Sequence, residues 1–446
     1  MEGTKRLLLI AGVVCLLGTG TALGAGFNIY EAGAKATALG GAFTATADDG
    51  SAIFYNPAGL AFLEGSALDL NLMPVVPTAE FTGAVQPDGS HASGKTVDQS
   101  FPIPGVYYYQ NSGDLTWGVG ICAPFGLGVE WEDPDNWIGR AVSYDVDLAT
   151  IYITPALAWK VNEDVALSLG VDAAFTEIEL NRRMLTDFGG GNASYDVVDV
   201  QIEGESKMNF TPVAGAMIKA TDKLTFGLMY HHEKTLQVDD GTLELANIAP
   251  AFLEANVDAL IAGLGGTEHE GSTELNLPHM LSLAVAYQLT EKARVEFDAV
   301  HFGWSHFEEL RLDFGNEDLN STIPEHYDDV WQLRFGAAYD VNEKLTLMGG
   351  YVRDESPQPT ASMSPLLPDA NRNDYSIGVQ YRLNDRLTLT GTYMGVNFEE
   401  RSNVVGGTQV VFPDEEEEYG SGPYPNPAGS YDSYADIFGI GIGYRF

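Results

Sequence analysis

The sequence predicts an all-β protein: a 14-stranded antiparallel transmembrane β-barrel with an N-terminal hatch inside the lumen. Three patterns carry that expectation. Apolar residues alternate with small or polar ones in run after run, tight polar turns alternate with long irregular stretches, and the last strand ends on an aromatic residue.

Residues 1–24 read as a secretory signal peptide. Lys5 and Arg6 supply the positive start, Leu7 to Leu17 the apolar run, and Ala22 and Gly24 a small-residue cleavage site. That run is too short to span a bilayer as a helix. Cys15 falls within it, which leaves Cys122 as the one cysteine of the mature chain and excludes an internal disulfide or a thiol pair for redox or metal chemistry. The 23 basic and 63 acidic residues give a formal net charge of −40, which argues against nucleic acid as a partner.

Residues 25–65 form the expected hatch, and 66–446 the barrel. The segment from Gly26 to Leu63 is rich in Gly and Ala, so it can lie close against surrounding walls. It contains an acidic turn, Asp48-Asp49-Gly50, and closes on Asn56-Pro57-Ala58, where Pro fixes its own φ and pushes Asn56 to extended geometry. An ordinary irregular N-terminal arm is the competing reading.

Period-two alternation follows. It is plain at Leu224, Phe226, Leu228, Tyr230 and at Val165, Leu167, Leu169, Val171. It recurs at Leu281 to Tyr287, Trp331 to Tyr339 and Tyr375 to Leu383. The opposite face is mostly Gly, Ala, Ser, Gln, Arg or Asp. A sandwich would turn the apolar face to its core, whereas a barrel in lipid turns it outward and fills the interior with small and polar groups. Short turns fall at 111–114, 161–164, 220–223, 289–292, 341–344 and 383–386. Between them lie long stretches at roughly 86–102, 126–141, 184–197, 241–270, 308–325, 355–371 and 404–431. Six tight turns and seven long loops in strict alternation make 14 strands, the asymmetry of outer-membrane barrels. In the last strand Phe438, Ile440, Ile442, Tyr444 and Phe446 share one face, and the terminal Tyr444 and Phe446 resemble the signal read by the bacterial barrel-assembly machinery.

The segment AGFNIYEAGAKATALGGAF…DDGSAIFYNPAGLAFL resembles the hatch of the outer-membrane long-chain fatty-acid and aromatic-hydrocarbon transporters. The likeness continues through residues 123–131, 137–161 and 277–307, and through 364–383 with its Leu-Pro-Asp at 367–369. The resemblance implies a 14-stranded barrel without catalytic site or cofactor, multi-pass in the bacterial outer membrane and acting as a monomer. Its partners would be hydrophobic small molecules, outer-membrane lipid and lipopolysaccharide, and the assembly machinery during biogenesis.

A fatty acid cannot dissolve in a polysaccharide layer, so such a transporter must offer apolar surface outside the membrane. Two segments qualify. One holds Phe125, Leu127, Trp131 and Trp137. The other is a helical pattern of Leu253, Val257, Leu260, Ile261 and Leu264 with Phe252 beside it, whose alternative role is packing on the barrel rim. In the family, ligand passes to a pocket near the start of the hatch and leaves sideways where the third strand kinks. Here the third strand contains Gly118, Gly120, Ala123 and Pro124. Glycine permits bends and proline removes a ladder donor, so a break near Ala123-Pro124 has a cause; the alternative is that Pro124 merely ends the strand.

Other features are weaker. His231 and His232 are adjacent on a strand and point to opposite faces, as do His301 and His306, which differ by an odd number; no metal site is expected. Asp414 to Glu418 reads as a solvated acidic run, with divalent cations shared with lipopolysaccharide as its alternative. Arg140 has a minor claim as a partner for a carboxylate substrate. Three functions remain at this point: a transporter of hydrophobic compounds, a general diffusion porin, and a barrel-based adhesin or receptor.

Overall fold

The computed structural model describes residues 26–85, 89–187, 194–412 and 426–446; the expected leader and the acidic run Asp414 to Glu418 lie outside these ranges. Among the described residues, fourteen strands make the wall. They are β1 (Ser66–Gly83), β2 (Phe101–Ser112), β3 (Leu115–Glu130), β4 (Asp145–Lys160), β5 (Val165–Asp187), β6 (Asn209–Thr221), β7 (Leu224–His231), β8 (Met280–Gln288), β9 (Ala293–Phe302), β10 (Val330–Asp340), β11 (Leu345–Asp354), β12 (Arg372–Arg382), β13 (Leu387–Phe398) and β14 (Gly429–Arg445). Each pairs antiparallel with the next, and the ring closes where β1 meets β14 from Ala67↔Arg445 to Gly83↔Gly429.

The six short reversals are closed by side chains. Asn162, Thr221, Thr290, Asn342 and Asn384 each accept from the N–H groups two and three residues on, at 2.8–3.2 Å. Asn111 accepts from Gly113, which sits at φ +82°. Short polar side chains that mimic a backbone turn make these positions reverse tightly. The apolar set of each strand faces outward: Leu169, Ile377 and Ile440 are 63–70% exposed, while Ser168, Asp172, Gln332 and Ser376 on the opposite face are buried. This inverts a soluble sandwich, as expected.

Three of the predicted long loops contain strands. Above the wall, Ser194–Glu205, Lys234–Asn247, Glu268–Leu277 and Glu309–Asp313 pair with β5 and with one another into a ridge. Their inward residues Val198, Val200, Ile202, Leu243, Leu245 and Leu275 are buried, so burial of an apolar face, not loop entropy, decides their conformation. The helix expected in 241–270 is present as Glu254–Leu264, α1.

Residues 26–63 lie inside the ring and touch it on all sides. Ala34 N–H donates to Asn71 on β1 (3.0 Å), Asn56 Nδ2 to the Ala216 carbonyl on β6 (3.0 Å) and Tyr30 to Asp374 on β12 (2.8 Å); Arg334 on β10 donates to the Gly41 carbonyl (3.1 Å). The wall makes room by omitting side chains. A Cβ on Gly215, Gly227, Gly336, Gly350 or Gly378 would come within 2.1–2.8 Å of a hatch atom. The small inner face visible in the sequence is the imprint of this segment.

Asn56 does two jobs in it. Its Oδ1 caps the 3-10 turn Pro57–Phe62 by accepting from Ala58 N–H at 3.2 Å, with Pro57 at the first position, where its missing N–H costs nothing. Its Nδ2 joins the carbonyls of Thr44 (2.8 Å) and Ala216. Asn56→Ala leaves two buried carbonyls without that donor, at about 1–3 kcal/mol each. The expected result is faster amide exchange across residues 43–58 in a barrel that still resists unfolding in detergent.

Candidate functional site

β3 changes partners halfway up. Its ladder with β4 runs regularly from Leu115↔Trp159 to Cys122↔Tyr152 and resumes at Phe125↔Thr150, so Ala123 and Pro124 together oppose Ile151 alone. The extra residue is a β-bulge, which bends a strand and reverses its parity. Below it Thr116 and Cys122 point inward; above it Phe125, Leu127 and Val129 do.

The ladder between β2 and β3 stops at the same height, at Gly105↔Cys122, while β2 stays on β1 up to Phe101. The cause is in β2. Asn111 N–H donates to Gly65 on the β1 side, so odd-numbered donors of this regular strand turn to β1 and even-numbered ones to β3. At the even positions 102 and 104 stand prolines, which have no N–H to give. The freed edge of β3 turns to the hatch instead. Ile29 N–H donates to the Pro124 carbonyl and Gly126 N–H to the Phe27 carbonyl, both at 2.8 Å, and Asn28 Nδ2 also reaches Pro124 at 2.9 Å. Higher up the seam recloses, with Val97 N–H on Glu130 and Glu132 N–H on Lys95. Ala123 and Pro124 form the bulge. Gly118 and Gly120 do not: they sit in regular pairing below it, and a Cβ there would strike Ile53 of the hatch at 2.9 and 2.8 Å. Their smallness seats the hatch and does not bend the strand.

The first expected groove segment is interior. Phe125 packs among Phe27, Trp304 and Tyr152, with ring centroids 5.9–6.1 Å away, and Leu127 is buried above it. Trp131 stacks on Trp137 at 4.0 Å, and their Nε1 atoms donate to the carbonyls of Pro365 and Ser143. Segment 355–371 folds into the lumen, and that covers both indoles. In α1 the pattern holds but the face is turned down: Leu253, Val257 and Ile261 are buried and Leu264 is partly buried, which is rim packing. Only Phe252 (68% exposed) and Leu260 (45%) face out. Replacing both with Ala is expected to leave stability, read from the temperature of the folded-to-heated transition, within about 0.5 kcal/mol, as for surface sites generally.

The sequence reading missed an apolar slot on the inner side of the ridge. It is lined by Ile178, Leu180, Ile202, Leu310, Leu312 and Phe314. Gly204, Gly241 and Gly271 hollow it: a Cβ on Gly271 would lie 2.3 Å from the Phe314 ring. Three glycines at 30- to 37-residue spacing were the signal, but nothing local shows that they share a level.

Below the hatch the chemistry reverses. A cavity of about 240 Å³ is lined by Lys35, Asp48, Asp49, Asp69, Arg294, Arg382 and Arg445 among others. Burial alone would raise the Asp48 carboxyl, yet Lys35 and Arg294 beside it hold it down at about 2. At the upper end Gly26 N–H donates to Asp369 (3.1 Å), the Asp of the Leu-Pro-Asp motif, which also takes the Ser356 hydroxyl (2.7 Å). Burial pushes the carboxyls of Asp369 and Glu325 up, to about 7 and about 8. Arg140 is engaged by Asp196 through Nε at 2.9 and 3.0 Å, so it is not a free carboxylate receptor. His231 points into the lumen, whereas His232 turns out toward Tyr230.

The model of the outer membrane protein transport protein family (OMPP1/FadL/TodX) matches residues 15–446. The chain belongs to this family. A long-chain fatty acid transport protein of Escherichia coli O6:H1 is 24% identical over 86% of this chain and 89% of its own length. Outer membrane protein P1 of Haemophilus influenzae is 24% identical over 97% of each. Among solved structures, a Pseudomonas aeruginosa FadL homologue superposes with a TM-score of 0.79 at 22% identity, covering 94% of this chain and 99% of that one. The Pseudomonas putida toluene transporter TodX gives 0.69 at 16%, covering 96% and 99%. These two show the shared barrel. As an OMPP1/FadL/TodX protein the chain is an outer-membrane transport protein, crossing the membrane many times with its strands.

Proposed function

We propose that the protein takes up hydrophobic compounds, fatty acids or related hydrocarbons, and releases them sideways through the seam between β2 and β3. The observation that carries this is the seam itself: an edge with prolines at both donor positions faces a strand whose own hydrogen bonds go to the hatch. Ligand would enter over the apolar inner side of the ridge, pass the aromatic lining at Phe27, Phe125 and Trp304, and leave into lipid. The named relatives carry fatty acids or toluene, which supports the substrate class. The charged cavity beneath the hatch supports the route, since an alkyl chain entering water there loses about 0.8 kcal/mol per CH₂. A general diffusion porin needs an open lumen, and residues 27–47 fill this one. Tyr444 and Phe446 serve as the assembly signal in this reading.

Gly120→Val is a poor test because it collides with Ile53 and Tyr107. Deleting Pro124 is better. It removes the extra residue and keeps Phe125, Leu127 and Val129 on the inward parity, and with Pro102→Val and Pro104→Val in the same protein, which return the missing donors to β2, it lets β3 continue on β2. Uptake of labelled oleate by proteoliposomes is expected to fall at least tenfold while the barrel still forms. Wild-type uptake by the deletion variant would leave passage down the lumen as the better account.

A further inference from the structure

One buried carboxylate beside the seam is shared by two bases. Asp172 on β5 accepts from the Thr154 hydroxyl (2.7 Å), and its other oxygen meets His231 Nδ1 (2.8 Å) and Lys234 Nζ (3.2 Å). His231 Nε2 faces the Phe54 carbonyl of the hatch at 3.0 Å. Lys234, 3% exposed, lies 4.2 Å from the centre of the Tyr152 ring, and the Tyr152 hydroxyl, fully buried, has no hydrogen-bond partner among the described residues.

The other titratable groups facing this cluster are Cys122 on β3, Tyr107 on β2 and Tyr152 itself. Thiols and phenols bring no negative charge at neutral pH. Lys234 and His231 therefore share the one carboxylate in a space closed to water, where a donor left without an acceptor is costly. Lys234 and Tyr152 are donors short of an acceptor at one spot. That spot is at the seam: Tyr152 opposes Cys122 in the last regular pair below the bulge, and its ring lies 6.1 Å from that of Phe125.

We propose that Lys234 and Tyr152 form a carboxylate-binding site that selects hydrophobic ligands with an anionic head, fatty acids, over uncharged hydrocarbons. The inference rests on the transport reading above. The head group accepts from Lys234 Nζ, which has donors beyond the one given to Asp172, and from the Tyr152 hydroxyl, and the tail lies along Phe125 toward the seam.

The test is the ratio of oleate to toluene uptake by proteoliposomes holding the full-length protein. Lys234→Met leaves Asp172 its His231 and Thr154 partners and is expected to lower that ratio at least tenfold. Tyr152→Phe removes only the unpartnered hydroxyl and is expected to lower it about threefold, which keeps the proposal testable if the first variant fails to fold. Lys234→Arg should preserve the ratio. An unchanged ratio in Lys234→Met, or in Tyr152→Phe where that variant alone folds, overturns the proposal. Failure of the wild-type protein to move either compound would instead overturn the transport reading.

Discussion

Replacing Glu296 and Asp298 together with Ala is expected to unseat the hatch while the wall stands. In the hatch turn Phe43 to Thr46, four consecutive N–H groups point at β9. Those of Phe43 and Thr44 donate to Asp298 at 3.2 and 3.0 Å. Those of Ala45 and Thr46 donate to Glu296 at 2.5 and 3.3 Å, and the Thr46 hydroxyl adds a fifth bond at 2.5 Å. Both acids are buried and stand two residues apart, so they share the inner face. Glu296 fits because its cross-strand neighbours are Ala286 and Gly336.

A typical hydrogen bond contributes about 0.5–1.5 kcal/mol, and a buried donor left without its acceptor costs about 1–3 kcal/mol. Removing both acids orphans five donors at once. The loss exceeds that of any single hatch contact, and none of it falls on the β9 ladder, whose bonds are backbone. The expected result is a rise of at least tenfold in single-channel conductance in planar bilayers, with the gel shift between folded and heated barrel unchanged. Wild-type conductance in the double variant would mean that the hatch is held by its apolar burial alone.

The strands and their turns were legible because each rests on local chemistry: period two for the wall, and Asn or Thr three or four residues before the next strand for its reversals. The ring of glycines was legible as a small face but not as the imprint of a particular segment. Ala38 and Gly378, or Thr44 and Gly227, meet only after the ring has closed. The ridge was less legible. Its strands carry acids such as Glu203 and Glu244 outward, which read as loop, and their apolar inward partners look like rim contacts until neighbouring strands are set beside them. Proline pointed to a break near Ala123-Pro124, yet the open edge beside the bulge has its cause in Pro102 and Pro104 of another strand, which the sequence does not tie to it. The exposure of the tryptophans was misjudged for a similar reason. A long loop with two indoles reads as open apolar surface only while no other loop folds over it.

Trp131 separates a contact that holds the rim from one that holds ligand. The side chain is 1% exposed, stacks on Trp137 with planes 14° apart, and has Tyr431 of β14 at its edge. Its N–H donates to the Tyr144 carbonyl, its indole to Pro365, and its backbone bridges Thr96 of the first external loop. Four chain segments therefore meet on one residue. They have no slack to close around a hole, since Gly94 and Gly139 already press on Trp137 with no room for a Cβ. Trp131→Ala is expected to cost about 3–5 kcal/mol, the range for deleting a large aromatic from a packed interior. It would appear as a lower temperature for the folded-to-heated transition and as early proteolytic cleavage in segment 355–371. Phe252→Ala with Leu260→Ala, on the open side of α1, should show neither. A Trp131→Ala protein that melts like the wild type yet captures less fatty acid would make this indole a ligand contact, and the rim would then be looser than its packing implies.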